Sequence, residues 1–144
     1  MGFRMVCLVN GHLEPAHRYM LRDAVKDARQ AVPVPVVLVD PSDRRFAQTL
    51  TEEFKKSAHA GRYETSLVLA ARPELVRPHA ALPELDIDLV AKMKGGAKTL
   101  VDAGGPDAYL GDPRSATREE GEATYARLAE IVCEVIAEGF ASSN

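Results

Sequence analysis

Residues 10 to 14 read Asn-Gly-His-Leu-Glu and directly follow the apolar run Met5-Val6-Cys7-Leu8-Val9. An imidazole and a carboxylate therefore emerge where a buried strand should end, which is where α/β enzymes place their chemistry. In extended backbone alternate side chains share a face, so His12 and Glu14 can offer a ring nitrogen and a carboxylate oxygen to one cation. The same residues also read as a polar strand-to-helix loop, in which Pro15 opens the helix and Glu14 favours its dipole. A second segment, His-Ala-Gly-Arg-Tyr-Glu-Thr-Ser from His59, sets a loop imidazole beside Gly61 with Glu64 in the following helical turn. His59 there can act as acid or base, or belong to a polar first turn that does no more than cap its helix.

Other polar residues carry weaker signals. His17 either faces the region of His12 from the helix begun at Pro15 or lies on the surface, and His79 falls in a loop between Pro78 and Pro83. Asp86 and Asp88 alternate like a metal pair, but solvation at a strand edge explains them as well. Gly95-Gly96 and Gly104-Gly105 have neither the lysine of a phosphate-binding loop nor the spacing of a dinucleotide fingerprint.

The elements that must position these groups follow from periodicity. Residues 3 to 9 predict a buried strand, and Pro15 to about Ala31 a helix with Met20, Leu21, Ala24, Val25 and Ala28 on one face. Val34 to Val39, closed by Asp40-Pro41, predicts a second parallel strand, completing a βαβ unit. Asp43 to about Phe54 predicts a helix through Phe46, Leu50 and Phe54, and Glu64 to about Arg72 another, stopped by Pro73. Arg72 to Pro83 reads as loop, Leu89 to Val101 as a helix broken near Gly95-Gly96, and Gly104-Gly105-Pro106 as a turn. Thr117 with Glu120 forms a capping box before a last helix whose stripe is Leu128, Ile131, Val132, Val135 and Ile136, suited to covering a sheet. Two strands offer too little sheet to bury helices on both faces, so an N-terminal portion of the fold is expected to be missing.

Composition narrows the partners. With 144 residues, 46% hydrophobic and 27% charged, the chain reads as one soluble domain over 1–144 without repeats or linkers. Its net charge of -3 and scattered basic residues exclude a nucleic-acid reading. It has neither a membrane-length apolar stretch nor a signal-peptide pattern, so no membrane partner and a cytoplasmic location are expected. Cys7 and Cys133 lie in apolar surroundings and read as free, buried thiols.

Three ordered motifs carry a resemblance. Asn-Gly-His-x-Glu after a strand is followed by His-Ala-Gly-x-x-Glu-Thr-Ser-x-x-Leu-Ala-x-Arg-Pro-x-Leu-Val, then by Gly111-Asp112-Pro113 with Ala116-Thr117 and Gly121 before the final helix. Together they resemble the creatininase family of metal-dependent amidohydrolases, in the later part of the family's domain only. The resemblance implies a layered α/β/α fold with a mostly parallel sheet, usually a homo-oligomer (a hexamer), with two divalent cations, zinc or manganese. It implies that His12 and Glu14 are metal ligands, one for each cation, that His59 transfers a proton, and that Glu64 orients its neighbours. It also implies a small-molecule amide substrate, cleaved at a linear or cyclic C–N bond. The family's remaining ligands, a Glu-x-His pair and a bridging Asp, fall N-terminal to the part resembled. Ala58 stands where creatininase itself has an active-site Glu, and Leu13 where an aromatic stands, which points to a substrate other than creatinine. The alternative is an inactive, truncated family member serving as an oligomerisation or binding module.

Overall fold

In the computed structural model residues 2–56 and 59–142 are described; Ser57 and Ala58 lie outside them, so the substitution at Ala58 has no structural account. Contacts divide the chain into two units, one made of the residues up to Ala47 with those from Arg127 onward, the other of Gln48–Ala126.

The first unit is built on a βαβ arrangement. Strand β1 (Val6–Val9) pairs in parallel with β2 (Val36–Val39), Val6 opposite Val36 and Val9 opposite Val39. Helix α1 (Pro15–Ala31) makes the connection and stops at Val32, just before Pro33 and Pro35 prevent its continuation. The sheet has two strands among the described residues. A mixed α/β fold with a parallel sheet is thus what forms.

Burial departs from the sequence expectation at β1. β2 is buried along its length except at Leu38, whereas Val6 is 43% and Val9 63% exposed although the two strands differ only by Cys7 in place of Val37. A strand apolar on both faces is suited to cover on both, and β1 has it only in part. On α1 the apolar stripe is only partly used: Val25 is buried, but Met20 is 71% exposed. Cys7 is half-buried and Cys133 exposed, so both are free thiols but neither is a fully buried one.

The second half of helix α7 (Arg118–Ala141) belongs to this unit and buries Ile131 and Val135 from its predicted stripe. It packs on the sheet where Gly139 admits Val37: a Cβ at Gly139 would lie 2.7 Å from Val37 Cγ1. Helix α2 (Arg44–Ala47) is tied to it by a bidentate pair, Arg45 to Glu138 at 2.7 and 2.8 Å.

In the second unit the expected helix from Asp43 to Phe54 is broken. After α2, residues 48–51 form a turn and α3 (Glu52–Lys55) restarts, with Thr51 Oγ1 accepting from Phe54 N at 3.3 Å. The β-hydroxyl cap satisfies a backbone donor that a continuous helix would have bonded itself, while Phe46, Leu50 and Phe54 remain buried as expected. Helix α4 (Arg62–Ala71) ends before Pro73, which opens a 3-10 turn (Pro73–Leu75). Helices α5 (Leu89–Lys94) and α6 (Leu100–Ala103) are separated at Gly95-Gly96 as the sequence predicts, and Gly104 ends α6 with a φ of 106°. The first half of α7 lies against α4: a Cβ at Gly121 would sit 1.9 Å from the Ser66 carbonyl oxygen. Buried Ser66 accepts from Thr117 N at 3.1 Å, and Thr117 Oγ1 in turn accepts from Glu120 N at 3.1 Å, the forward half of the capping box. The Glu120 carboxylate is held by Arg62 Nε at 2.5 Å.

Candidate functional site

His12 and Glu14 stand between the C-terminal end of β1 and the first turn of α1. Asn10, which is buried, fixes this loop: its Oδ1 accepts from His12 N at 3.0 Å while its Nδ2 donates to His12 O at 2.8 Å. This explains the asparagine of the Asn-Gly-His motif as a clamp on the main chain of His12, leaving the imidazole exposed. Gly11 needs no special space, since a Cβ there would meet nothing within 4 Å.

Glu14 is the N-cap of α1. Its Oε1 accepts from Ala16 N at 3.0 Å and its Oε2 from His17 N at 2.6 Å, satisfying two of the orphan donors of the first turn. Those two backbone N–H groups, His17 then Ala16, hold the carboxyl below the usual carboxylate range, with His12 and His17 contributing. An ionised carboxylate with free lone pairs suits a cation, and it also suffices as a cap. The ring of His17 lies 5.2 Å from that of His12, edge to face.

Asp40 closes the same unit at the end of β2. It is buried, and its Oδ2 takes Arg18 Nε at 3.0 Å and an Arg22 nitrogen at 3.2 Å, while Oδ1 takes Ser42 Oγ at 2.5 Å. Burial alone would raise its pKa, but the hydrogen bonds of Ser42 and Arg18 with the Arg18 charge outweigh it and hold the carboxyl low. Asp40 is thus spent on fastening the start of α1, one residue beyond His17. The sequence shows the Asp-Pro pair but nothing of its arginine partners, which lie 22 and 18 residues earlier, on α1.

In the other unit His59 precedes α4 in an exposed loop, and its carbonyl accepts from Leu110 N at 2.6 Å. The next residue, Ala60, takes a φ of 49°, a left-handed conformation uncommon for a residue with a Cβ. Backbone strain of this kind concentrates at functional sites. Glu64, in the first turn of α4, is partly buried; desolvation pushes its carboxyl above the usual range, against backbone N–H groups and the nearby His59 charge. Tyr63, packed on Phe54 with ring centres 5.0 Å apart, is pushed up to about 12 by burial and stays neutral.

The structure therefore brings His12 and Glu14 together in one unit, with His17 beside them, and His59 and Glu64 together in the other. The remaining candidates are engaged elsewhere. Asp88 caps α5 through Ala91 N at 2.9 Å, and His79 Nδ1 lies 3.2 Å from the Arg77 carbonyl oxygen. A shallow cleft includes Glu53, Lys56, Glu84 and Asp86 but none of the motif residues. Among the described residues no three His, Cys, Asp or Glu side chains are gathered to hold a metal ion. The imidazole and carboxylate are the right donor types for a divalent cation, yet fall short of the three protein ligands that a catalytic zinc usually has. No described helix is long and apolar enough to cross a membrane.

Comparison with known proteins adds the family. No curated protein matches the chain. Two solved structures resemble it, one described as the crystal structure of creatinine amidohydrolase (creatininase), the other as a glutamate-to-glutamine mutant creatininase of Zn-Zn type. Each has a TM-score of 0.57 and 24% identity over 95% of this chain. The chain spans 56% and 57% of their lengths, just over half. The family model for creatininase, creatinine amidohydrolase, matches residues 1–136, and the chain belongs to the creatininase family.

Proposed function

We propose that this chain carries part of the active centre of a metal-dependent amidohydrolase acting on a linear or cyclic amide C–N bond of a small molecule. The family match carries the reading, because it spans His12, Glu14, His59 and Glu64. His12 and Glu14 are the metal ligands, and the Zn-Zn type of one similar creatininase favours zinc over manganese. A divalent cation supplies Lewis acidity at the scissile carbonyl and acidity to water. His59 accepts a proton from the attacking water and delivers it to the departing nitrogen. Glu64, charged only at the expense of desolvation, orients that imidazole. Assembly as a homo-oligomer and a cytoplasmic location belong to the same proposal.

Two motif donors make at most half of a two-cation centre. Residues 1–144 by themselves are therefore expected to bind divalent metal weakly and to hydrolyse amides negligibly, with or without added zinc or manganese. The DNA just upstream of the Met1 codon tests the enzyme reading. An in-frame Glu-x-His followed by an Asp supports it, and the longer protein should then turn over amide and lose about 10²–10⁴-fold of that rate in His59→Ala. An in-frame stop favours the second reading, an oligomerisation or binding module of one domain without a working metal centre. The observation favouring that reading is the engagement of both Glu14 oxygens in capping α1.

A further inference from the structure

His17 lies outside every motif that carries the family resemblance, yet the fold sets its ring beside that of His12, with centres 5.2 Å apart and planes at 68°. Two imidazoles that share one tetrahedral zinc through nitrogens at about 2.0–2.1 Å place their ring centres about 5 Å apart. The observed separation already has that value. Both residues are also held in place. Buried Asn10 clamps the main chain of His12 in both directions, and Glu14 caps the turn that bears His17 by accepting from its N–H at 2.6 Å. The next residue, Arg18, is fastened to buried Asp40 at 3.0 Å.

We infer that His12 and His17 together hold one divalent transition-metal ion, with His17 as a ligand from outside the family motif. The inference rests on the reading of His12 as a metal ligand and adds to it a donor from outside the family motif. Both donors are neutral imidazole nitrogens, which favour zinc, nickel or copper over magnesium, calcium or manganese. The site therefore selects zinc over manganese. Two imidazoles leave coordination positions to water, so the ion is held weakly compared with a three-ligand site.

The test is calorimetric titration of the whole chain with zinc chloride and, separately, magnesium chloride, beside two-bond proton–nitrogen spectra of the histidine rings. One zinc should bind, magnesium should not, and the ring nitrogens of His12 and His17 should shift together while those of His79 stay in place. His17→Ala and His12→Ala should each weaken zinc at least about tenfold, because even groups that merely orient a ligand are worth that much. His17→Gln gives the same reading if the alanine variant unfolds, and the ring spectra of the unaltered chain need no variant. If zinc affinity survives in His17→Ala but falls in His12→Ala, this inference is overturned and the proposed ligand role of His12 stands. If it survives in both, the two fail together. Absence of any zinc-dependent shift at His17 also overturns it.

Discussion

Glu14 and Glu64 are both glutamates at the N-terminal end of a helix, Glu14 as the cap of α1 and Glu64 in the first turn of α4, each close to a motif histidine, and their surroundings push them in opposite directions. Glu14 is exposed and bonded by two backbone N–H groups, so its carboxyl is held low. Glu64 is desolvated, and burial raises its carboxyl against weaker opposing influences. Separation of two carboxyls by environment is how one protein assigns unlike roles to like residues. A carboxylate kept ionised suits a cation or a helix end, whereas one whose charge is costly is suited to share a proton with an imidazole. The packing differs in the same sense: a Cβ at Gly11, beside His12, meets nothing within 4 Å, while one at Gly121, against the helix of Glu64, would sit 1.9 Å from Ser66 O.

Mutations can break that contrast. Gly121→Ala should have the largest effect, destabilising the chain by about 3 kcal/mol or more, since the obstruction is backbone and helix α7 must move. Denaturant titration followed by circular dichroism measures it. Glu64→Gln should raise the melting temperature at pH 7. The folded pKa of Glu64 lies above its unfolded value, so ionisation opposes folding as pH rises past the unfolded pKa, and glutamine removes that opposition. The gain should vanish below the unfolded pKa of about 4.3; a gain that persists there would show that packing, not charge, is responsible.

Glu14→Gln should act with the opposite sign and less strongly. The folded pKa of Glu14 lies below its unfolded value, so its ionised form adds stability above the unfolded pKa that is lost as pH falls through the folded one. The variant should therefore melt lower at pH 7 and like the unaltered chain in stronger acid, as read from melting curves across pH. Gly11→Ala should change stability by no more than about 0.5 kcal/mol, because its surroundings are open.

Much of this arrangement was legible in the residues. The apolar runs ending at Val9 and Val39, with the helical spacing between them, predict the βαβ unit, and Pro15 and Ala31 mark the observed ends of α1. Local chemistry was enough there, since caps and prolines act over a few residues. What the sequence did not show depends on distant partners. The run Met5–Val9 reads as a buried strand, yet burial of Val6 and Val9 depends on what covers β1, which composition does not specify. Phe46, Leu50 and Phe54 keep a helical spacing through a break, because Thr51 can cap a new helix while all three rings and chains stay buried. The fastening of Asp40 by Arg18 and Arg22 and the positive φ of Ala60 likewise leave no pattern in neighbouring residues.

The claim on which the functional reading turns is that the loop after β1 is where this chain meets a metal ion. Zinc-edge anomalous diffraction from crystals of the chain soaked in zinc tests it directly. A peak is expected about 2.0–2.1 Å from a ring nitrogen of His12, and it should move or disappear in His12→Ala crystals. A peak at the acidic cleft of Glu53, Glu84 and Asp86, with none at His12, would contradict it.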